Sequence, residues 1–165
     1  MFPNSTILTQ EMSIKLLNIA ELPNNKNYTL RYQASKDRFN GFVFHNKTDG
    51  LINSLFIIKT SSTGNVYGGF ISQDMTCNIQ DCYLYDENAF MFSLTNNLNV
   101  SFRMKIINPK IPIQLFPFFS SNLPYFFLDS YQKPDYINGS ISQFFGTNYE
   151  QIEIYSFDRK FNFSK

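Results

Sequence analysis

The sequence predicts an α+β fold built as one domain, and three observations lead there. Apolar residues recur at helical spacing only before Gly50, once ahead of Pro23 and again between Ser35 and Lys47. After Gly50 the pattern changes to short apolar runs rich in β-branched and aromatic residues, separated by turn residues, which is how strands read. Helices thus come early and strands dominate after them, the order of an α+β domain and not of alternating βαβ units.

Taken in order, Thr9 is placed to cap a helix that runs to about Glu21 and stops before Pro23. Met12, Leu16 and Ile19 share a face that Leu17 and Ala20 widen, so this stripe is expected to face the core. Lys15 is the only cation on the polar face, too little for a helix that lies on a membrane. Tyr28 to Gln33 alternates with period two and reads as a strand with one buried face. Ser35 is expected to cap a second helix reaching about Lys47. Asp37 would sit in its first turn, where the helix dipole favours an acid, with Phe39, Phe42 and Val43 on one side.

Asp49-Gly50 ends that helix. Ser54 to Thr60 is a nearly continuous apolar run, hence a strand buried on both faces, and Ser61 to Asn65 turns it into a hairpin partner over Val66 to Ser72. Gly68-Gly69 weakens this partner strand unless another backbone or a large ring approaches closely. Gln73 to Glu87 reads as a polar loop, with Asp86-Glu87 as solvated turn residues. Neighbours on an extended chain point to opposite faces, so this acid pair cannot easily share a metal or a proton. Further strands are expected over Asn88–Leu94, Val100–Ile107, Ile113–Phe119, Tyr125–Leu128, Ser140–Phe145 and Gln151–Phe157, with a turn at Asn96-Asn97.

A length of 165 residues suits one domain. It divides into a lead-in helix over 1–23, a core over 24–158 and a tail over 159–165. An aromatic content of 18% excludes a disordered chain. The net charge is +1 with no basic run beyond Arg159-Lys160, so phosphate neutralisation, and with it nucleic-acid binding, finds no support. The longest apolar stretch, Ile111 to Leu128, is broken by Pro112, Pro117 and Pro124, and no transmembrane segment is expected. The first residues lack the pattern of a secretory leader, which gives the expectation of an intracellular, cytoplasmic protein.

The residues that could carry chemistry are few. Cys77 and Cys82 read as two free thiols or as a local, redox-reversible disulfide. A structural zinc needs four ligands, and two Cys with one His fall short. His45 could in principle join a serine with Asp37 or Asp49, but no Gly-x-Ser-x-Gly elbow marks a nucleophile. Its other reading is a hydrogen-bonded residue at a helix end. Gly68-Gly69 lies between strands and lacks a phosphate-loop context. No catalytic, cofactor-binding or metal-binding residue is assigned, and no cofactor is expected.

The segment from Tyr28 to Leu94 resembles the TLDc domain family of oxidation-resistance proteins and their relatives. The resemblance is carried by Leu30 to Asp37 followed by Phe39, then by Phe44-His45-Asn46-Lys47 with Asp49-Gly50. It continues through Leu55 to Thr60, through Gly64-Asn65-Val66-Tyr67-Gly68-Gly69-Phe70, and through Asp86 to Leu94. Tyr32, Ser35, Phe39, His45, Gly68, Gly69, Phe90 and Phe92 form its signature. The resemblance implies a sandwich of two antiparallel sheets flanked by helices, without a cofactor. It also implies a non-enzymatic protein-binding module of the kind that binds the vacuolar proton ATPase and protects against oxidative damage. An alternative keeps the fold but makes the chain a built-in structural subunit of a large assembly, such as a cytoskeletal or ciliary one. A third is a hydrolase or antioxidant enzyme using His45 or the cysteines. Between Pro117 and Tyr136 the chain departs from the family pattern with a Phe-rich stretch. That stretch is either core strand or, through Phe118, Phe119 and Tyr125, an exposed anchor for a partner.

Overall fold

The computed structural model describes residues 1–74, 76, 82–106, 113–115, 131–132 and 149–157. The first helix, α1 (Gln10–Ile19), begins at Thr9, whose side chain accepts from the Met12 N–H at 3.2 Å. It ends in a six-to-one closure: Leu22 N–H reaches Leu17 O at 3.0 Å, and Glu21 N–H reaches Asn18 O at 3.3 Å. Glu21 holds the left-handed position of that motif, φ 53°, where glycine is more usual. Leu16, Leu17 and Ala20 are buried and Met12 and Ile19 pack against the core, as the spacing predicts.

The chain then forms β1 (Thr29–Gln33), α2 (Ala34–Asp37), α3 (Gly41–Thr48), β2 (Ser54–Thr60), β3 (Val66–Ile71), β4 (Cys82–Leu84), β5 (Phe90–Thr95), β6 (Phe102–Ile106), β7 (Ile113–Leu115), β8 (Tyr131–Gln132) and β9 (Tyr149–Ser156). Seven strands make one antiparallel sheet in the order β1-β9-β2-β3-β5-β6-β8, and β4 pairs with β7 in a separate ribbon. The α+β class and the antiparallel pairing therefore hold. Among the described residues the second sheet of the expected sandwich is only that two-stranded ribbon.

Both faces of the large sheet are buried. On one, α1 packs with Leu55, Ile57, Phe70, Phe90, Phe92 and Tyr155. Alternation sends Phe56, Ile58, Tyr67, Met91, Met104 and Ile154 to the other face, and they too are buried. The hairpin of β2 and β3 sets the registers Leu55↔Phe70, Phe56↔Gly69 and Ile57↔Gly68. Both strands are buried along nearly their whole length, in agreement with their unbroken apolar runs.

Four expectations are corrected. The second helix is two helices, because Arg38 at φ 67°, ψ 149° breaks the run and Asn40, not Ser35, caps α3. The Asn40 side chain accepts from the N–H groups of Phe42 (2.9 Å) and Val43 (3.2 Å). The break also turns Phe39 and Phe42 outward, to 56% and 66% exposure, and leaves Phe44 as the buried ring. The polar loop after Gln73 contains the short strand β4. In β1 an irregularity between Leu30 and Tyr32 interrupts strict alternation, so Tyr32 and Gln33 are both buried. The pair Tyr131–Gln132 forms a strand too short for its residues to show a period. The strands expected at 125–128 and 140–145 lie outside the described residues, as do 116–119 of the strand that contains β7.

Candidate functional site

Two polar arrangements, one close-packed glycine and one exposed corner stand out. The first is centred on Glu153 of β9, which is fully buried. Its carboxyl group accepts from Ser5 Oγ (2.6 Å), Thr6 N–H (2.7 Å), Thr6 Oγ1 (3.0 Å) and Gln33 Nε2 (2.9 Å). Gln151, two residues earlier on the same face, donates to Thr6 Oγ1 at 3.1 Å and to Ser35 Oγ at 2.6 Å, and accepts from the Ser35 N–H at 3.0 Å. Burying a carboxyl group is costly unless its lone pairs are satisfied, and here neutral donors from the N-terminal segment and β1 do so. The network thus ties the beginning of the chain to its last described strand. Sequence reasoning missed it. A strand is expected over Gln151–Phe157, but nothing local announces that residues 5 and 6 return to cover Gln151 and Glu153.

The second arrangement is a clasp at Asp86. This residue is buried, contrary to its reading as a solvated turn residue. Its carboxylate accepts from the backbone N–H of Ser72, from Ser72 Oγ (2.7 Å) and from the Asn88 N–H (3.0 Å), joining the end of β3 to the approach of β5. The third feature is the packing of Gly68. A Cβ there would lie 1.8 Å from the Phe56 carbonyl oxygen and 2.7 Å from Phe92 Cζ, so backbone and ring both approach, as the sequence requires of this glycine. Gly69 lies beside it, opposite Phe56 and Met91, and is buried.

The exposed corner lies between α2 and α3. Tyr32 is buried, its ring edge-on to Phe44 at 5.4 Å, and its hydroxyl donates to Arg38 O at 2.8 Å. Burial, with the charge of Asp37 close by, pushes the Tyr32 hydroxyl up to about 12. Burial works against ionisation of Asp37, but the hydrogen bonds from Lys47 Nζ (2.6 Å) and the Gln33 N–H (2.9 Å) outweigh it and hold the carboxyl below the usual carboxylate range. At the far end of α3, His45 Nδ1 meets Asp49 Oδ1 at 2.8 Å, and the Asp49 N–H closes back on His45 O at 2.9 Å. His45 is therefore paired with Asp49 at a helix end, while Asp37 belongs to Lys47.

Of the signature residues, Tyr32, Gly68, Gly69, Phe90 and Phe92 enter the core, Ser35 joins the Gln151 network, His45 is half-buried, and Phe39 is exposed. Phe118, Phe119, Tyr125 and Cys77 lie outside the described residues, as does the side chain of Cys82. Among the described residues no three His, Cys, Asp or Glu side chains gather as metal ligands would. No described helix is long and apolar enough to cross a membrane.

Taken together, these features define an α+β module whose buried acids brace a sheet enclosed on both faces. The TLDc domain family model matches residues 1–128. The chain belongs to the TLDc domain family. No curated protein matches it.

Proposed function

We propose that this TLDc domain is a non-enzymatic protein-binding module that docks a rigid surface onto a larger assembly. By analogy with the family, the vacuolar proton ATPase is the first partner to test and protection against oxidative damage is the expected outcome. Membership of the family over residues 1–128 is the observation that carries the reading. Further support comes from how the polar side chains are used. Glu153, Asp86, Asp37 and the His45–Asp49 pair are each committed to hydrogen bonds that hold the fold. On this reading the Phe-rich stretch with Phe118, Phe119 and Tyr125 supplies an apolar anchor, and the protein works in the cytoplasm.

The test is capture of partners by the full chain, followed by mass spectrometry. Recovery of proton ATPase subunits that is lost in the Phe118→Ala/Tyr125→Ala double variant, with melting unchanged, supports the proposal. Recovery of tubulin-associated proteins that resist salt extraction would instead make the chain a built-in structural subunit. An oxidative-protection assay with His45→Ala and with Cys77→Ser/Cys82→Ser addresses catalysis, since a non-enzymatic module keeps its protection in both variants.

A further inference from the structure

The α2–α3 corner exposes two phenylalanines on a hydrogen-bonded backbone. Phe39 and Phe42 are 56% and 66% exposed, far more than large rings usually are. Their backbone is nevertheless fixed. The Tyr32 hydroxyl and the Asn40 N–H both donate to Arg38 O, at 2.8 and 2.9 Å, and the Asn40 side chain caps α3 directly beneath Phe42. The backbone that carries both rings is therefore held in place.

Arg38 adds a second, independent observation. At φ 67°, ψ 149° it occupies backbone space that suits glycine, and a side chain there costs about 1 to 3 kcal/mol. Its side chain is exposed and so is that of Lys36. The segment 34–48 carries three cations, Lys36, Arg38 and Lys47, against one carboxylate, Asp37, a formal +2 where the whole chain has only +1. Asp37 is already neutralised by Lys47, and the next acid, Asp49, pairs with His45 at the opposite end of α3. Cationic charge is thus concentrated on the one described corner that also projects a pair of aromatic rings.

We propose that this corner docks on an anionic phospholipid surface, with Phe39 and Phe42 entering the headgroup boundary and Lys36 and Arg38 meeting lipid phosphates and carboxylates. Aromatic rings gain from partial burial at that depth, and each cation near an anionic leaflet adds about fivefold in affinity. The charge complementarity selects the partner. Two highly exposed rings beside exposed cations match an apolar layer that begins just beneath a negative one. The domain would reach a membrane directly, independently of any protein it binds.

The experiment is sedimentation of the full chain with phosphatidylcholine vesicles with and without phosphatidylserine, free of any protein partner. Binding is expected only with phosphatidylserine and is expected to weaken as salt is raised. Phe39→Ser/Phe42→Ser should lower it about tenfold or more while melting stays near that of the unaltered chain, because both rings are exposed. Arg38→Gly should lower it about fivefold while raising the melting temperature, since the strain disappears with the charge. Absence of binding to phosphatidylserine vesicles overturns the proposal, and so does undiminished binding by the double phenylalanine variant. If that variant instead loses capture of a protein while the unaltered chain ignores vesicles, the corner faces protein and the membrane assignment fails. The Phe118/Tyr125 capture experiment is read separately, so either proposal can fail alone.

Discussion

At the scale of single residues, the fold depends on a few positions where no other side chain would serve. Gly68→Ala places a methyl group 1.8 Å from a backbone oxygen and 2.7 Å from Phe92 Cζ, and neither β2 nor the enclosed ring can yield cheaply. A loss of about 3 kcal/mol or more is expected by denaturant melting. Gly64→Ala is the matched control, since its site has open space and only a positive φ to oppose it, and should cost about 1 kcal/mol. Asp86→Ala leaves the Ser72 and Asn88 N–H groups without their acceptor and should cost about 2 to 3 kcal/mol, whereas Glu87→Ala should stay within about 0.5 kcal/mol. The demand at Gly68 was legible because a glycine pair weakens an apolar strand unless a neighbour needs the space of the missing side chain. The burial of Asp86 was not, because two of its three donors come from Ser72, fourteen positions back, and an acid in a polar stretch looks solvated whichever way it turns.

At the scale of elements, propensity located α1 and the β2–β3 hairpin, where period, cap and turn residues agree. It failed between Ser35 and Lys47. There the spacing of Phe39, Phe42 and Val43 suits a continuous helix, and the buried Tyr32 hydroxyl imposes the break at Arg38 from outside the segment. Two carboxyls, one at this corner and one beyond α3, should shape the acid response. The Asp37 and Asp74 carboxyls are both held below their ordinary range. For each, burial opposes the shift and hydrogen bonds prevail, from Lys47 and Gln33 on Asp37 and from Thr76 and Gly50 on Asp74. A carboxyl whose folded value is depressed contributes stability that is present above its unfolded value, near pH 3.9, and is lost as pH falls through the folded value. Melting temperature should accordingly drop below about pH 4, and Asp37→Asn should flatten that acid limb while lowering stability at neutral pH. Tyr32 has the opposite sign. Its hydroxyl is raised to about 12, so its contribution is complete below about pH 10 and fades as pH climbs through the folded value. Tyr32→Phe should remove its own share of that alkaline loss, followed by melting across the alkaline range, while Tyr28, Tyr67 and Tyr155, whose hydroxyls burial also raises, keep the rest.

At the scale of the whole molecule, the deciding feature is the place of β9. It pairs with β1 over Thr29–Gln33 and with β2 over Ser54–Thr60, so the last described strand stands second from the β1 edge of the sheet, inserted between two strands from the first half of the chain. It lies beyond residue 128, where the family match ends. Six of its residues, from Gln151 to Ser156, are buried, and Glu153 binds Ser5 and Thr6 across almost the full length of the sequence. Without β9, β1 would lose its only strand partner among the described residues, the edge of β2 would open, and the donors of residues 5 and 6 would lose their acceptor. The loss exceeds the roughly 5 to 15 kcal/mol by which a domain of this kind is stable. A chain ending at residue 148 is therefore expected to show no cooperative melt, although it contains every matched residue. Glu153→Ala in the full chain isolates the polar part of that closure and should cost about 3 kcal/mol while leaving the transition cooperative. Adding the separate segment 149–165 to the truncated chain should restore a cooperative transition, because β9 is held by pairing and burial on both sides. A truncated chain that melts sharply by itself would show that β1 and β2 can form a sheet without the strand between them, and the central role given to β9 would be wrong.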